Sequence, residues 1–360
     1  MPTESESQAS GISLRRLDVP TTARPSKPER IPALDFTKGS LVLIMVLYHW
    51  INYFIGPQWA YYEYLHFLTP SFIFITGFTI SNVYLSKYAA TDSRLSKRLI
   101  TRGLKLIAIF LFLNVARTFV LPVLGTGVLA RNPVSAGNVF SIFVSGNLPI
   151  TGGKLVAFSI LVPISYMLML SGGLMVPYRL SKYTFHLVCA VLLSSILILG
   201  LKGEHSYNVE FLAIGMLGVL TGFMPIGGIN DFVRHPYRLA FAYVCYVIAI
   251  TIWNIPFPLL VVAVLLNLMV IYLVGAGGGE SGTIRSVVIL LGKYSLFGYI
   301  SQIAILQILS AAFHHVNLGV TALGVSFVAA FVLTIACTEV VDRSRARAVS
   351  VDRLYKTVFA

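Results

Sequence analysis

LDFTKGSLVLIMVLYHW, residues 34–50, is apolar enough to cross a lipid bilayer, yet it carries Lys38 near its start and His49 near its end. Its neighbourhood explains the apolar part. The 360-residue chain is 56% hydrophobic and only 11% charged, with a mean hydropathy of +0.81. A soluble protein needs more polar surface than that, so the composition is that of a polytopic membrane protein. Taking roughly 20 apolar residues to span the hydrocarbon core, about ten segments qualify: 34–55, 65–86, 100–123, 155–176, 183–201, 208–225, 238–254, 257–275, 285–310 and 318–340. The expected fold is therefore all-α, with ten transmembrane helices.

The charges orient these helices. A net charge of +13 would suggest nucleic acid in a soluble protein, but here the basic residues gather in alternate loops. Arg15, Arg16, Arg24, Lys27 and Arg30, then Lys87, Arg94, Lys97 and Arg98, then Arg179 and Lys182, then Arg234 and Arg238, then Arg285, then Arg343, Arg345, Arg347, Arg353 and Lys356 fall on one side. The other side carries chiefly Arg117, Arg131, Lys154 and Lys202. Lysine and arginine accumulate in cytoplasmic loops, so both termini are expected in the cytoplasm and nucleic acid is not an expected partner. Residues 1–32 are polar and rich in Ser, Pro and Arg, and read as a disordered tail. Residues 33–340 form the expected membrane domain and 341–360 a second flexible, basic tail. The long connection 125–153 contains an apolar piece, 139–144, too short to cross.

Chemistry is expected where charge enters apolar helices, because such residues usually face a bundle interior or a watery cavity. On an α-helix the eleven steps from Lys38 to His49 return to within about 20° of the starting direction, about 16 Å further along the axis. Both side chains therefore occupy one face. The competing reading is that Lys38 snorkels to the interface and His49 bonds a neighbouring helix. Arg98, Arg102 and Lys105 recur at i, i+4 and i+7 at the start of the third span, a basic stripe suited to a phosphate-bearing ligand as well as to topology alone. Ser295, Tyr299 and Gln302 share a face of the ninth span, and they either line a pocket or hold helices together.

Four local patterns, ALDFTKGSLVLIMVLYHW (33–50), LTPSFIFITGFTIS (68–81), RLSKRLITRGLKL (94–106) and LGKYSLFGYISQIAIL (291–306), resemble membrane acyltransferase family 3 and the wider transmembrane acyltransferase superfamily. Relatives there include glucan succinyltransferase-like and heparan α-glucosaminide N-acetyltransferase-like proteins. Lys38 stands where that pattern has arginine, Thr76 precedes Gly77 in place of serine, and Gln302 ends the late motif in place of histidine. Lysine keeps the charge without the planar fork of arginine. The resemblance implies a multi-pass enzyme of a bacterial inner or plasma membrane. It would move a short acyl group, such as acetyl, from cytoplasmic acyl-CoA to the hydroxyl or amine of a glycan or glycolipid outside. It further implies His49 and Lys38 as the catalytic pair, with His49 a general base or transient acyl carrier. Arg98, Arg102 and Lys105 would bind the donor; Glu63, His66, Ser295, Tyr299 and Gln302 would line the acceptor side.

Other chemistries have fewer residues behind them. Glu63-x-x-His66 has the spacing of half a di-metal site, but the chain holds only 14 acidic residues and no metal is expected. Cys189, Cys245 and Cys337 lack metal-ligand spacing and suggest no disulfide framework. Phosphate-cradling loops and serine-hydrolase elbows are missing from the sequence. A transporter or flippase for an anionic or glycolipid substrate is the alternative, since many helices, buried cations and a broken segment such as IWNIPFPLL (252–260) would serve it too.

Overall fold

A computed structural model of the protein describes residues 31–56, 64–85, 93–123, 141–146, 158–224, 235–253, 256–277, 282–313 and 319–359. Glu63, the His314-His315 pair and residues 1–30 lie outside that set. Twelve helices account for most of what is described. They are α1 (Pro32–Trp50), α2 (Leu68–Thr79), α3 (Ser93–Val123), α4 (Leu161–Leu180), α5 (Thr184–Leu201), α6 (Tyr207–Gly222), α7 (Pro236–Ile252), α8 (Phe257–Gly277), α9 (Thr283–Lys293), α10 (Ser295–Phe313), α11 (Val320–Arg347) and α12 (Val349–Phe359). Wider π turns, Ile51–Ile55 and Ile80–Leu85, extend α1 and α2. No strand occurs among the described residues.

Among the described residues, eight helices are long and apolar enough to cross a membrane: α1 and α2 with their π turns, α3 through Ala116, α4, α5, α8, α10 and α11. The two remaining expected spans fall on shorter apolar helices, α6 and α7. Polarity is distributed as a bilayer requires. Ser71, Ser165, Ser171, Gln302, Ser326 and Thr334 are fully buried, while Leu187, Val191, Phe241, Val244, Ile248, Val325, Val328 and Val332 stand exposed on the outer faces of α5, α7 and α11. Exposed apolar stripes on this scale call for lipid rather than water.

Helix α1 is the central post, packed against α2, α8, α9, α10 and α11. Its approach to α9 brings backbone against backbone. A methyl group at Gly39 would overlap the Val288 carbonyl, and one at Gly292 would overlap the Asp35 carbonyl, so only glycine at both positions lets the two backbones touch. The paired positions (39 with 288, 35 with 292) run in opposite directions, making α1 and α9 antiparallel. By contrast, Val42 meets Gly298 while Tyr53 meets Gln307, so α1 and α10 run parallel. Helix α11 returns antiparallel to α10, with Ser326 bonded to Trp50 at one end and Asp342 bonded to Lys293 and Tyr294 at the other. The start of α1 and the end of α11 therefore lie at one end of the bundle, here called the basic end.

Two expectations are corrected. The continuous ninth span breaks at Tyr294 (φ −112°, ψ 28°), leaving α9 as a short element and α10 as the long one. The Tyr294 hydroxyl donates to Asp342 (2.6 Å) and accepts from Arg345 (3.1 Å), which ties the break to α11. The basic segment from 341 is not a loose tail: α11 continues to Arg347, and α12 follows after an extended Ala348 (φ −123°, ψ 116°). The short apolar piece 141–144 forms a single turn whose buried Ile142 and the Phe143 carbonyl are held by Asn208 and Tyr166.

Candidate functional site

A cavity of about 240 Å³ opens among α1, α2, α3, α4, α10 and α12. Along α2 its lining runs from Tyr84 to Phe72, about 18 Å at 1.5 Å per residue. The cavity is therefore elongated along α2, and is called the channel below. Its character changes along its course. Near the basic end the walls are Lys38, Tyr84, Arg102, Lys105 and Ser295; farther in they are Phe72, Ile160, Leu161, Ile164 and Tyr299. Thr76 and Thr79 also line it, but both hydroxyls donate to carbonyls of their own helix, to Phe72 at 2.8 Å and Ile75 at 2.7 Å. Its polarity therefore comes from three cations, two phenols and one serine.

Local sequence explains the cationic wall. Gly103 and Gly172 let α3 lie tightly on α4, since a methyl at either would crowd the opposing helix. That contact turns the 102–105 side of α3 toward the channel. Arg102 donates to the Tyr84 hydroxyl, and its guanidinium carbon sits 5.9 Å from the Tyr84 ring centre. Lys38 pairs with Asp35 one helical turn earlier at 3.7 Å, with both side chains largely sheltered. A half-buried cluster of three cations beside one carboxylate attracts a ligand of more than one negative charge.

The cavity gathers five residues singled out from the sequence, Lys38, Arg102, Lys105, Ser295 and Tyr299. The others lie elsewhere. Arg98 is exposed and outside the lining, its guanidinium carbon 5.8 Å from the Tyr84 ring centre. The i, i+4, i+7 stripe is wide enough that its first member falls beyond the mouth. His49 is half-buried near the far end of α1, edge-on to the Tyr48 ring at 5.1 Å, and does not line the channel. Tyr299 lines the channel, and about two turns farther along α10 Gln307 bonds the Tyr53 hydroxyl, at the end of α1 that carries His49. Gln302 is fully buried on α10, one turn beyond Tyr299, and neither of its amide atoms has a hydrogen-bond partner among the described residues. His66 lies in the turn before α2, at the end remote from the basic end.

Tyr84, Val358 and Phe359 are wall residues that charge patterning does not single out. A chain with 23 Phe and 18 Tyr offers too many aromatics for any one to stand out. Phe359 carries a weak signal in the spacing of Val351, Tyr355, Val358 and Phe359, the half-buried face of an amphipathic helix.

A second cavity, about 140 Å³, lies between α1, α2, α6 and α8 and is almost wholly apolar, with Leu34, Phe74, Phe78, Leu265 and Leu268 among its walls. Its Thr37 and Thr221 hydroxyls are spent on carbonyls of their own helices. Ile75 separates the two spaces, lining both.

No protein-family model, curated protein or solved structure matches the chain.

Proposed function

We propose that the protein is an integral-membrane acyltransferase that takes an acyl group from acyl-CoA and passes it to a carbohydrate acceptor across the bilayer. The observation that carries this reading is the channel: elongated, about 18 Å long, cationic at one end and apolar toward Tyr299. A donor with a polyanionic head, a thin extended arm and a reactive group at the arm's tip has the complementary form. On this reading Lys38, Arg102 and Lys105 hold phosphate oxygens, and the arm runs past Thr76 toward Tyr299. Basic residues concentrate at the same end, which the positive-inside rule assigns to the cytoplasm, where acyl-CoA is made.

His49 then serves at the far end of the arm. Its imidazole takes the proton of the acceptor hydroxyl as that oxygen attacks the thioester carbonyl. The carbon–sulfur bond breaks, and the departing CoA thiolate takes the proton back. Alternatively, the imidazole nitrogen attacks first and carries the acyl group to the acceptor in a second step. An imidazole can act either as a base or as a nucleophile, so it suits either course.

Purified full-length protein in lipid nanodiscs tests the proposal with acetyl-CoA and a mixed glycan acceptor. His49→Ala is expected to lower turnover by roughly 100-fold or more, the scale of losing a general base, while leaving CoA affinity within a factor of two. Arg102→Ala and Lys105→Ala are expected to weaken CoA binding about tenfold each, as loss of a charge-assisted contact does. Wild-type turnover by His49→Ala, or CoA affinity unmoved by both cation variants, overturns the assignment.

A further inference from the structure

The sequence VSVDRLYKTVF (349–359) forms α12, whose one face rests on the bundle while the other is open. Val351, Asp352, Tyr355, Val358 and Phe359 are half-covered; Val349, Arg353, Leu354 and Lys356 are exposed; none of its described residues is fully buried. A helix without buried apolar side chains is held by its edges, and such elements open more readily than the core.

Those edges are specific. Asp352 accepts from Arg345 through Nε (2.9 Å) and Nη2 (2.6 Å) and from Lys356 (2.5 Å). The Arg345 guanidinium lies 4.1 Å from the Tyr355 ring centre and 5.3 Å from that of Tyr294. Phe359 stacks on Tyr355 at 4.9 Å and meets Phe297 edge-on at 6.0 Å. The clamp ends at the channel: Val358 and Phe359 form part of its wall, beside Lys38, Tyr84 and Arg102. Tyr355 is near enough to Arg102 to feel its charge. With α12 in this position the cavity measures about 240 Å³, below the roughly 300–1,000 Å³ of sites that enclose a drug-sized ligand.

We propose that α12 is a lid on the basic mouth of the channel, closed in this structure, with Ala348 as hinge and, as catch, the Arg345–Asp352 pair, since the Lys356–Asp352 bond lies within α12 itself. An anionic ligand larger than the closed cavity enters only when Val358 and Phe359 withdraw. The lid then contributes to ligand access rather than to bond making. It rests on the reading of the channel as a binding site, though not on acyl-CoA being what binds.

The test uses the full chain with Cys189, Cys245 and Cys337 replaced by alanine and a single reporter, Ser295→Cys, in the channel wall. Reaction with a charged, water-soluble maleimide is timed in that parent and after adding Asp352→Ala or Phe359→Ala. A second reporter, Ser181→Cys, in the exposed turn after α4, records general loosening. The expected result is alkylation at the Ser295→Cys reporter about fivefold faster in both variants, the opening produced by losing one exposed contact, with the Ser181→Cys rate unchanged. Equal rates in parent and variants, or equal acceleration at both reporters, overturns the lid. Protection of the Ser295→Cys reporter by coenzyme A is measured separately. A lid that opens over a channel CoA does not protect refutes the proposed donor and leaves the lid standing.

Discussion

At the scale of single residues, Gln302 is the side chain whose position is hardest to explain by packing. A buried amide with both ends unsatisfied costs about 1–3 kcal/mol relative to one that is bonded. Leucine has a similar volume and no such cost. Gln302→Leu is therefore expected to raise the thermal midpoint by a few degrees, read by scanning fluorimetry in one detergent. If the amide binds the acceptor, the same variant loses at least about tenfold in kcat/KM. A more stable variant of undiminished activity would leave Gln302 as a packing residue only. Tyr84 makes a contrasting case, since its hydroxyl accepts from Arg102 and orients a cation rather than touching reacting atoms. Tyr84→Phe is expected to raise KM for the donor roughly threefold to tenfold and to leave kcat unchanged. A fall in kcat alone would contradict that positioning role.

At the scale of elements, α1 and α9 are joined by two glycines and α12 by a polar clamp, and the two joints should fail differently. Gly39→Leu forces a side chain into the Val288 carbonyl, and overpacking of this kind costs about 1–3 kcal/mol or more. It should lower the yield of monodisperse protein in size-exclusion chromatography, whereas Gly173→Leu, at a position open within 4 Å, should not. The clamp should instead respond to acid. Bonds from Lys356 and then from Arg345 hold the Asp352 carboxyl below its ordinary value of 3.8. A carboxyl depressed in the folded state stabilises above its unfolded pKa and stops doing so as pH falls through the folded one. Asp352 is the carboxylate of the cluster, so it is the member that changes over that range. A spin label on Thr357→Cys is expected to become more mobile as pH falls below about 4, and to be mobile at every pH when Asp352→Asn is added. These elements also show what sequence could reveal. Lys38, Arg102 and Lys105 were legible because cations are costly in apolar helices. The break at Tyr294 was not, since the apolar pattern runs through it and its cause, Asp342, lies 48 residues away. Helix α12 was hidden because it is held by ion pairs and ring contacts, which leave no apolar run to count.

At the scale of the whole molecule, the helix directions constrain how the chain sits in a membrane. The start of α1 and helix α12 border one cavity, so an even number of crossings separates them, a property that ten spans and eight share. Long-range pairing supports the same pattern, with α1 parallel to α10 and α11 antiparallel to both. What these directions leave open is which end meets the cytoplasm. The positive-inside rule supplies the prediction, because Arg179 and Lys182 flank the basic-end turn between α4 and α5, whereas the turn after α5 carries Lys202 beside Glu204. The two turns are separated by one apolar helix, so single reporters there read the two faces directly. In the cysteine-free background, a membrane-impermeant maleimide applied to intact cells is expected to label Ser206→Cys and to reach Ser181→Cys only after permeabilisation. The reverse pattern would put the cationic mouth outside, away from cytoplasmic acyl-CoA. The same cavity would then suit an external anion and favour transport over acyl transfer. Labelling of both reporters without permeabilisation would mean that α5, only 11% buried within the bundle, does not cross at all.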